Sequence, residues 1–209
     1  MDDKRKQKAK QRYIARKKAY IRAKRQKERR KQLIKTILLA LILTMGLSAA
    51  IFSFLFGVQR VEGFGMTPTL VDSDWIVISK YKKIKRFSVV SFKTPGKENK
   101  SFRRVIGLPG ETIEYRDDTL WVNGQEQPER FLLEAKEEAR ENNYSLTENF
   151  DLNEVTGSQL GQIPADMYLV LGDNRTFSAD SRNYGLVSKD DILGVAELLM
   201  FPIHKMRSF

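Results

Sequence analysis

Residues 36–58, TILLALILTMGLSAAIFSFLFGV, contain no charged side chain. At about 1.5 Å rise per residue, such a run wound into a helix spans roughly the 30 Å of a bilayer's hydrocarbon core. This stretch constrains everything else, because whatever folds after it must do so beside a membrane. The competing reading is a cleaved secretory signal, with Ser48, Ala49 and Ala50 as its processing site. A signal's apolar core is only about 7–15 residues long. Here the apolar run continues past Ala50 to Val58, and a long basic arm precedes it, so a retained anchor is expected.

The formal net charge of +11 is unevenly spread. Residues 1–35 hold 17 Lys and Arg against 3 Asp and Glu, a balance of +14, which leaves −3 for the remainder. Lys35, Lys31, Arg30 and Arg29 directly precede the apolar run, whereas Arg60 alone closely follows it. Cations beside a spanning helix stay on the cytoplasmic side. The expected organisation is a basic cytoplasmic arm over 1–35, a transmembrane helix over 36–58 and an extracytoplasmic domain over 59–209. The arm carries a heptad echo, YIARKKA at 13–19 and YIRAKRQ at 20–26, which would align Tyr13, Ile14, Tyr20 and Ile21 on one helix side. A disordered topology signal is the first reading of this arm, and a helix lying on anionic headgroups is the second. Nucleic-acid binding ranks last, since the adjacent span already accounts for the charge.

The chain has no cysteine and one histidine, His204. Disulfides, a thiol nucleophile, cysteine-ligated zinc and a several-histidine metal site are therefore excluded. No cofactor, metal or small-molecule ligand is expected.

From residue 59 the pattern becomes that of short strands. Asp74–Ser79, Phe87–Phe92, Arg103–Ile106, Thr112–Tyr115 and Met167–Leu171 are rich in β-branched and aromatic residues. Leu120–Val122 runs into Asn123-Gly124, a hairpin-turn dipeptide. These segments, separated by Gly- and Pro-containing turns, predict a mostly β, antiparallel domain. Pro128–Asn142, with its EAKEEAREN run, reads as one short exposed helix inserted between strands.

Three motifs follow the anchor in order. They are Gly63-Phe64-Gly65-Met66-Thr67-Pro68-Thr69-Leu70, then Arg103-Arg104-Val105-Ile106-Gly107-Leu108-Pro109-Gly110-Glu111, then Gly172-Asp173-Asn174-Arg175-Thr176-Phe177-Ser178-Ala179-Asp180-Ser181-Arg182. Together with Ile192–Ala196 and Pro202 they closely resemble the bacterial type I signal peptidases. The resemblance covers roughly residues 36–202 and implies a signal peptidase I-like antiparallel β domain behind one membrane helix. It also implies a Ser/Lys dyad that cuts a peptide bond after a small side chain.

Two positions depart from that pattern. Where the family's serine would stand the chain has Gly65, and where its lysine would stand it has Arg103. Glycine has no nucleophilic atom, and arginine stays protonated and cannot accept a proton. Thr67, Thr69, Lys100 and His204 are the neighbours that substitution would have to draw on. Lys100, three residues before Arg103, is expected on the opposite strand face. By resemblance, Ser178 helps position the family's lysine. Asp173, Asn174, Arg175, Asp180 and Arg182 read as structural here, since such side chains tie turns together. Phe87-Ser88 replaces a Gly-Asp pair common in the family, so the local turn is expected to differ.

The leading functional expectation is a non-proteolytic accessory factor, a pseudo-enzyme. Its groove around Gly63, Phe64, Met66 and Pro68, left intact or even widened at Gly65 and floored by Arg103, would hold an extended segment by β-augmentation. Resemblance to degenerate relatives implies pilus assembly in Gram-positive bacteria, with a secreted pilin subunit or a sortase as partner beside the membrane. The alternatives are an active signal peptidase with relocated catalytic residues, a trap that binds signal peptides uncut, and a nucleic-acid module in the arm.

Overall fold

The computed structural model describes residues 2–209, apart from the side chains of 2–6, 8, 9, 11–15 and 23. The chain divides into two compact units, Met1–Ser53 and Phe54–Phe209.

The first unit belongs to a single helix, α1 (Asp2–Leu55), so the arm is helical rather than irregular. Tyr13 and Ile14, half of the heptad echo, lie outside the described side chains. Tyr20 and Ile21 are exposed. The stretch Arg16–Leu55 contains a window of mean hydropathy 2.4, none of it buried within the protein. Three hydroxyls of the apolar run bond back to their own helix. Thr36 donates to the Gln32 carbonyl (3.0 Å), Thr44 to Leu41 (3.0 Å) and Ser48 to Thr44 (2.8 Å). That arrangement suits a solvent that cannot satisfy a hydroxyl. By length and composition the helix fits a membrane span. It stops at Leu55, before the apolar run ends, because Phe56–Val58 enter a strand.

The second unit is built on antiparallel strands. They are β1 (Phe56–Arg60), β2 (Trp75–Ser79), β3 (Val89–Lys93), β4 (Lys100–Gly107), β5 (Ile113–Arg116), β6 (Thr119–Val122), β7 (Gln125–Gln127), β8 (Phe150–Asp151), β9 (Met167–Leu171), β10 (Val187–Ser188), β11 (Ile192–Phe201) and β12 (Arg207–Ser208). Among the described residues they form two sheets. The larger has the order β1-β2-β11-β3-β4-β9-β10, with β12 beside β11, and the smaller is β7-β6-β5-β8. The hairpin foreseen at Asn123-Gly124 joins β6 to β7, both residues taking the positive φ (50° and 75°) that such a turn requires.

Apolar residues from both sheets meet in the core. Ile106, Leu169 and Leu171 of the large sheet pack on Ile113, Tyr115 and Leu120 of the small one. A second cluster sets Met66 and Leu70 against Ile76, Ile78, Phe102 and Leu199. β11 carries register shifts at Ile192/Gly194, Ala196/Leu198 and Leu199/Phe201. Such irregularities bend a strand and raise its twist.

The foreseen helix is α2 (Leu133–Glu141), entered through a 3-10 turn at Arg130–Leu132. It is not exposed throughout. Ala139 is fully buried and packs with Leu132 and Leu146. Its glutamates are exposed, whereas Lys136 turns inward to pair with the buried Glu129 (3.1 Å). Phe87 takes φ +66°, a conformation uncommon for a residue with a Cβ. Its carbonyl accepts from Arg104 (2.9 Å), and its ring lies 5.3 Å from that of Phe131.

Candidate functional site

Three segments converge on Gly65. The loop after β1 carries residues 63–70, β4 supplies Arg103 and Arg104, and the loop after β9 supplies residues 172–182. Buried Met66 and Leu70 pin the first loop to the core. Asn174 fastens it to the third loop. Its N–H donates to the Gly65 carbonyl (3.1 Å), and its side-chain amide donates to the Phe64 carbonyl (3.2 Å) and to Thr67 Oγ1 (3.1 Å). Gly172 makes this approach possible. A Cβ there would stand 2.2 Å from Ser178 Oγ and 2.4 Å from the Gly65 carbonyl oxygen, far inside contact distance.

Arg103 lies directly against Gly65. Its guanidinium donates twice to the Ala179 carbonyl (3.0 and 2.7 Å) and once to its own neighbour, the Phe102 carbonyl (2.6 Å). A Cβ placed on Gly65 would meet Arg103 Nη2 at 2.8 Å, Cζ at 2.9 Å and Nη1 at 3.0 Å. The expectation of a groove widened at Gly65 is therefore corrected, because the arginine fills the space left by the missing side chain. Met66 likewise leaves the proposed groove for the core, at 2% exposure. Gly63 and Phe64 stay at the surface, and Pro68 borders a cleft of about 580 Å³ together with Thr69, Arg104 and Phe131.

The 172–182 loop is held by a charge network. Asp180 caps the short helix α3 (Ser181–Tyr184) and accepts from the Gly172 N–H (3.0 Å) and from Arg182 (2.9 and 2.8 Å). Ser178 Oγ donates to the same carboxylate. Burial works to raise the Asp180 pKa, but the hydrogen bond and charge of Arg182, with the Gly172 N–H and Ser178, outweigh it and hold the carboxyl below its usual value. Asp173 takes the buried Arg104 in a two-point pair (2.8 and 2.5 Å). Arg175, 1% exposed, donates to Glu129 (2.5 Å), Tyr115 (3.0 Å), Thr147 (3.0 Å) and the Gly172 carbonyl (2.9 Å). Burial opposes its charge, and Tyr115 and Glu129 outweigh that cost and raise its pKa. Glu129 was invisible in the sequence because its partner Arg175 is 46 positions away.

The relocation candidates separate clearly. Thr67 Oγ1 reaches the surroundings of Gly65 through Asn174, and Ser178 Oγ, expected only to help position the family's lysine, does so beside Gly172. Thr69 Oγ1 faces Arg104 at 3.4 Å. Lys100 starts β4 opposite Lys93 and is exposed, as is His204 in the turn Ile203–Lys205. Tyr184 also belongs to the site. Burial pushes its phenol pKa up, with the charge of Arg103 acting against that rise.

The domain's resemblance extends to known proteins. Residues 30–201 match the family described as Signal peptidase, peptidase S26. The chain is 40% identical over 160 residues to "Signal peptidase I P" of Bacillus subtilis subsp. natto, covering 74% of this chain and 82% of that protein. It is 37% identical over 166 residues to "Signal peptidase I T" of Bacillus subtilis (strain 168), covering 77% and 82%. A solved signal peptidase I from Enterococcus faecalis V583 superimposes with a TM-score of 0.51 at 43% identity, covering 55% of this chain and 97% of that one.

These findings overturn the leading functional expectation. The relatives are named as peptidases over most of the chain's length, which points to an enzyme and not to a non-proteolytic pilus assembly factor. The helix ending at Leu55 and the antiparallel domain behind it complete the same picture, and the chain belongs to the signal peptidase family, peptidase S26.

Proposed function

We propose that the chain is a membrane-bound peptidase of the signal peptidase I kind, acting on the extended cleavage segment of exported preproteins. The observation that carries this reading is the match across residues 30–201 to proteins named as peptidases. The uneven charge about the apolar run supports a cytoplasmic N-terminus and an extracytoplasmic domain.

The chemistry has to differ from a serine at position 65 with a neutral lysine, since Gly65 and Arg103 offer neither. Ser178 is the hydroxyl best suited to act. It borders Gly65 and a cleft of about 220 Å³, and it alone of the two nearby hydroxyls donates to a carboxylate. In this reading Ser178 Oγ attacks the peptide carbonyl and its proton passes through Asp180 to the leaving amine. Water then cleaves the acyl ester by the reverse route. Arg103 supplies a fixed positive charge beside the developing oxyanion. Asp180 is held ionised at low pH, so it is a weaker base than a group poised near neutrality, and turnover is slow.

The test incubates the full chain in lipid nanodiscs with a preprotein. Cleavage at one bond is expected, abolished by Ser178→Ala and retained by Thr67→Val, with unchanged thermal unfolding as the control for folding. An inert natural chain overturns the peptidase reading. Cleavage that survives Ser178→Ala overturns only the assignment of the nucleophile.

A further inference from the structure

The basic stretch Lys80-Tyr81-Lys82-Lys83-Ile84-Lys85-Arg86 takes no part in the site described above. Arg86 is spent within the fold, donating to Glu111 (2.9 and 2.5 Å) and to the Ile106 carbonyl (2.7 Å). Lys80, Lys82 and Lys83 join Lys189 around a cleft of about 610 Å³ whose lining includes Tyr81 and a single carboxylate, Asp190. Two of these cations meet carboxylates at the surface. Lys82 meets Glu197 at 2.8 Å and Lys189 meets Asp166 at 3.4 Å, all four side chains being about a third or more exposed. Solvent-exposed pairs of this kind are weak and yield to a better anion.

The position of the cleft in the fold says which anion. The Lys80 N–H donates to the Leu55 carbonyl (3.0 Å), Phe56 pairs with Ser79, and the Tyr81 ring lies 5.4 Å from that of Phe54. Residues 54–56 are where the apolar helix gives way to β1. The lysines therefore stand beside the point where the chain leaves hydrocarbon, at the depth of the headgroups. Tyr81, 64% exposed, is the amphipathic ring favoured at that depth, and lysine stems reach across it to place their charge in the polar layer.

We propose that this cleft is a binding site for the phosphodiester headgroup of an anionic lipid, in the leaflet where the apolar run ends. The inference rests on the reading of α1 as a membrane span and is independent of the peptidase reading. Its function is to fix the rotation of the β domain against the membrane surface.

The basic arm also attracts anionic lipid, so the experiment has to resolve position along the chain. The full chain is placed in nanodiscs of phosphatidylcholine alone or with rising fractions of phosphatidylglycerol, and hydrogen exchange is followed peptide by peptide. Exchange over residues 80–86 and 189–192 is expected to slow only with phosphatidylglycerol. Lys83→Ala and Lys189→Ala are each expected to raise the lipid fraction needed for half-protection about fivefold, from the roughly 1 kcal/mol that one near-surface cation contributes. Protection confined to the arm, equal protection in pure phosphatidylcholine, or the same protection from millimolar inorganic phosphate would each overturn the proposal. Protection at 80–86 in a chain that cuts no preprotein keeps this inference and removes the peptidase one.

Discussion

The guanidinium of Arg103 occupies the volume into which any side chain at position 65 would project, its Nη2 2.8 Å from the ideal Cβ of Gly65. The two residues thus fit each other, a missing side chain against an oversized one. A close contact with the far end of a flexible side chain is relieved by moving it, but here the move breaks the bonds from Arg103 to Ala179.

Gly65→Ser should therefore destabilise the chain by about 1 kcal/mol, at the low end of overpacking costs. Arg103→Lys should relieve that cost, so the double variant is more stable than the two single effects predict. A double-mutant cycle from urea unfolding midpoints should show a coupling of about 0.5–1 kcal/mol. In the preprotein assay the same double variant should cut faster than the natural chain, because it combines a hydroxyl with a cation that can lose its proton.

Gly172→Ala should damage the site more than Gly65→Ser. The added methyl would meet the backbone oxygen of Gly65 at 2.4 Å as well as Ser178, and backbone cannot step aside. A loss of about 2–3 kcal/mol is expected from thermal unfolding. Cleavage should fall with it, since the 63–70 and 172–182 loops can no longer close on each other.

The Arg175–Glu129 pair is buried at both ends, with 0% side-chain exposure on each residue. Glu129→Ala leaves Arg175 charged and without its carboxylate, a change that costs about 3–5 kcal/mol where such pairs are broken. Replacing Glu129 and Arg175 together by apolar residues of similar volume should cost much less. Urea unfolding of the single and double variants measures the difference.

Asp180 gives an acid limb. Its folded pKa lies below the usual 3.8, so its contribution to stability is fully present above the unfolded value and is lost as pH falls through the folded one. Stability should hold above about pH 5 and decline below about pH 4. Glu129, also held below its usual 4.5 because Arg175 outweighs the effect of burial, contributes in the same window and direction. Asp180→Asn should make the decline shallower, as read from unfolding midpoints at pH 3 to 6.

Six of the strands, β2 to β6 and β9, were legible because each carries its own pattern. Met167–Leu171 appears as foreseen, and Asn123-Gly124 specifies a turn by φ alone. The longest strand, β11, was seen only in its first five residues as a closing motif. Its central place between β2 and β3 depends on partners 100 or more residues away. The charged helix looked fully exposed because Ala139 and Leu132 bury against Leu146, a contact outside the segment's own period. Thr67, Ser178, Gly65 and Arg103 were each identifiable as motif residues, but their mutual distances were not.

The sequence by itself determined the apolar span, the polarity of charge about it, the β class of the domain and the absence of a hydroxyl at position 65 and of a deprotonatable base at 103. Those properties follow from composition, period and side-chain chemistry along a local stretch. Only the tertiary structure decided that Arg103 fills the space beside Gly65, that Ser178 shares a carboxylate with Arg182, and that Lys80 meets the chain where the apolar helix ends. Each of these depends on which distant segments touch, and contact is set by packing the whole core at once.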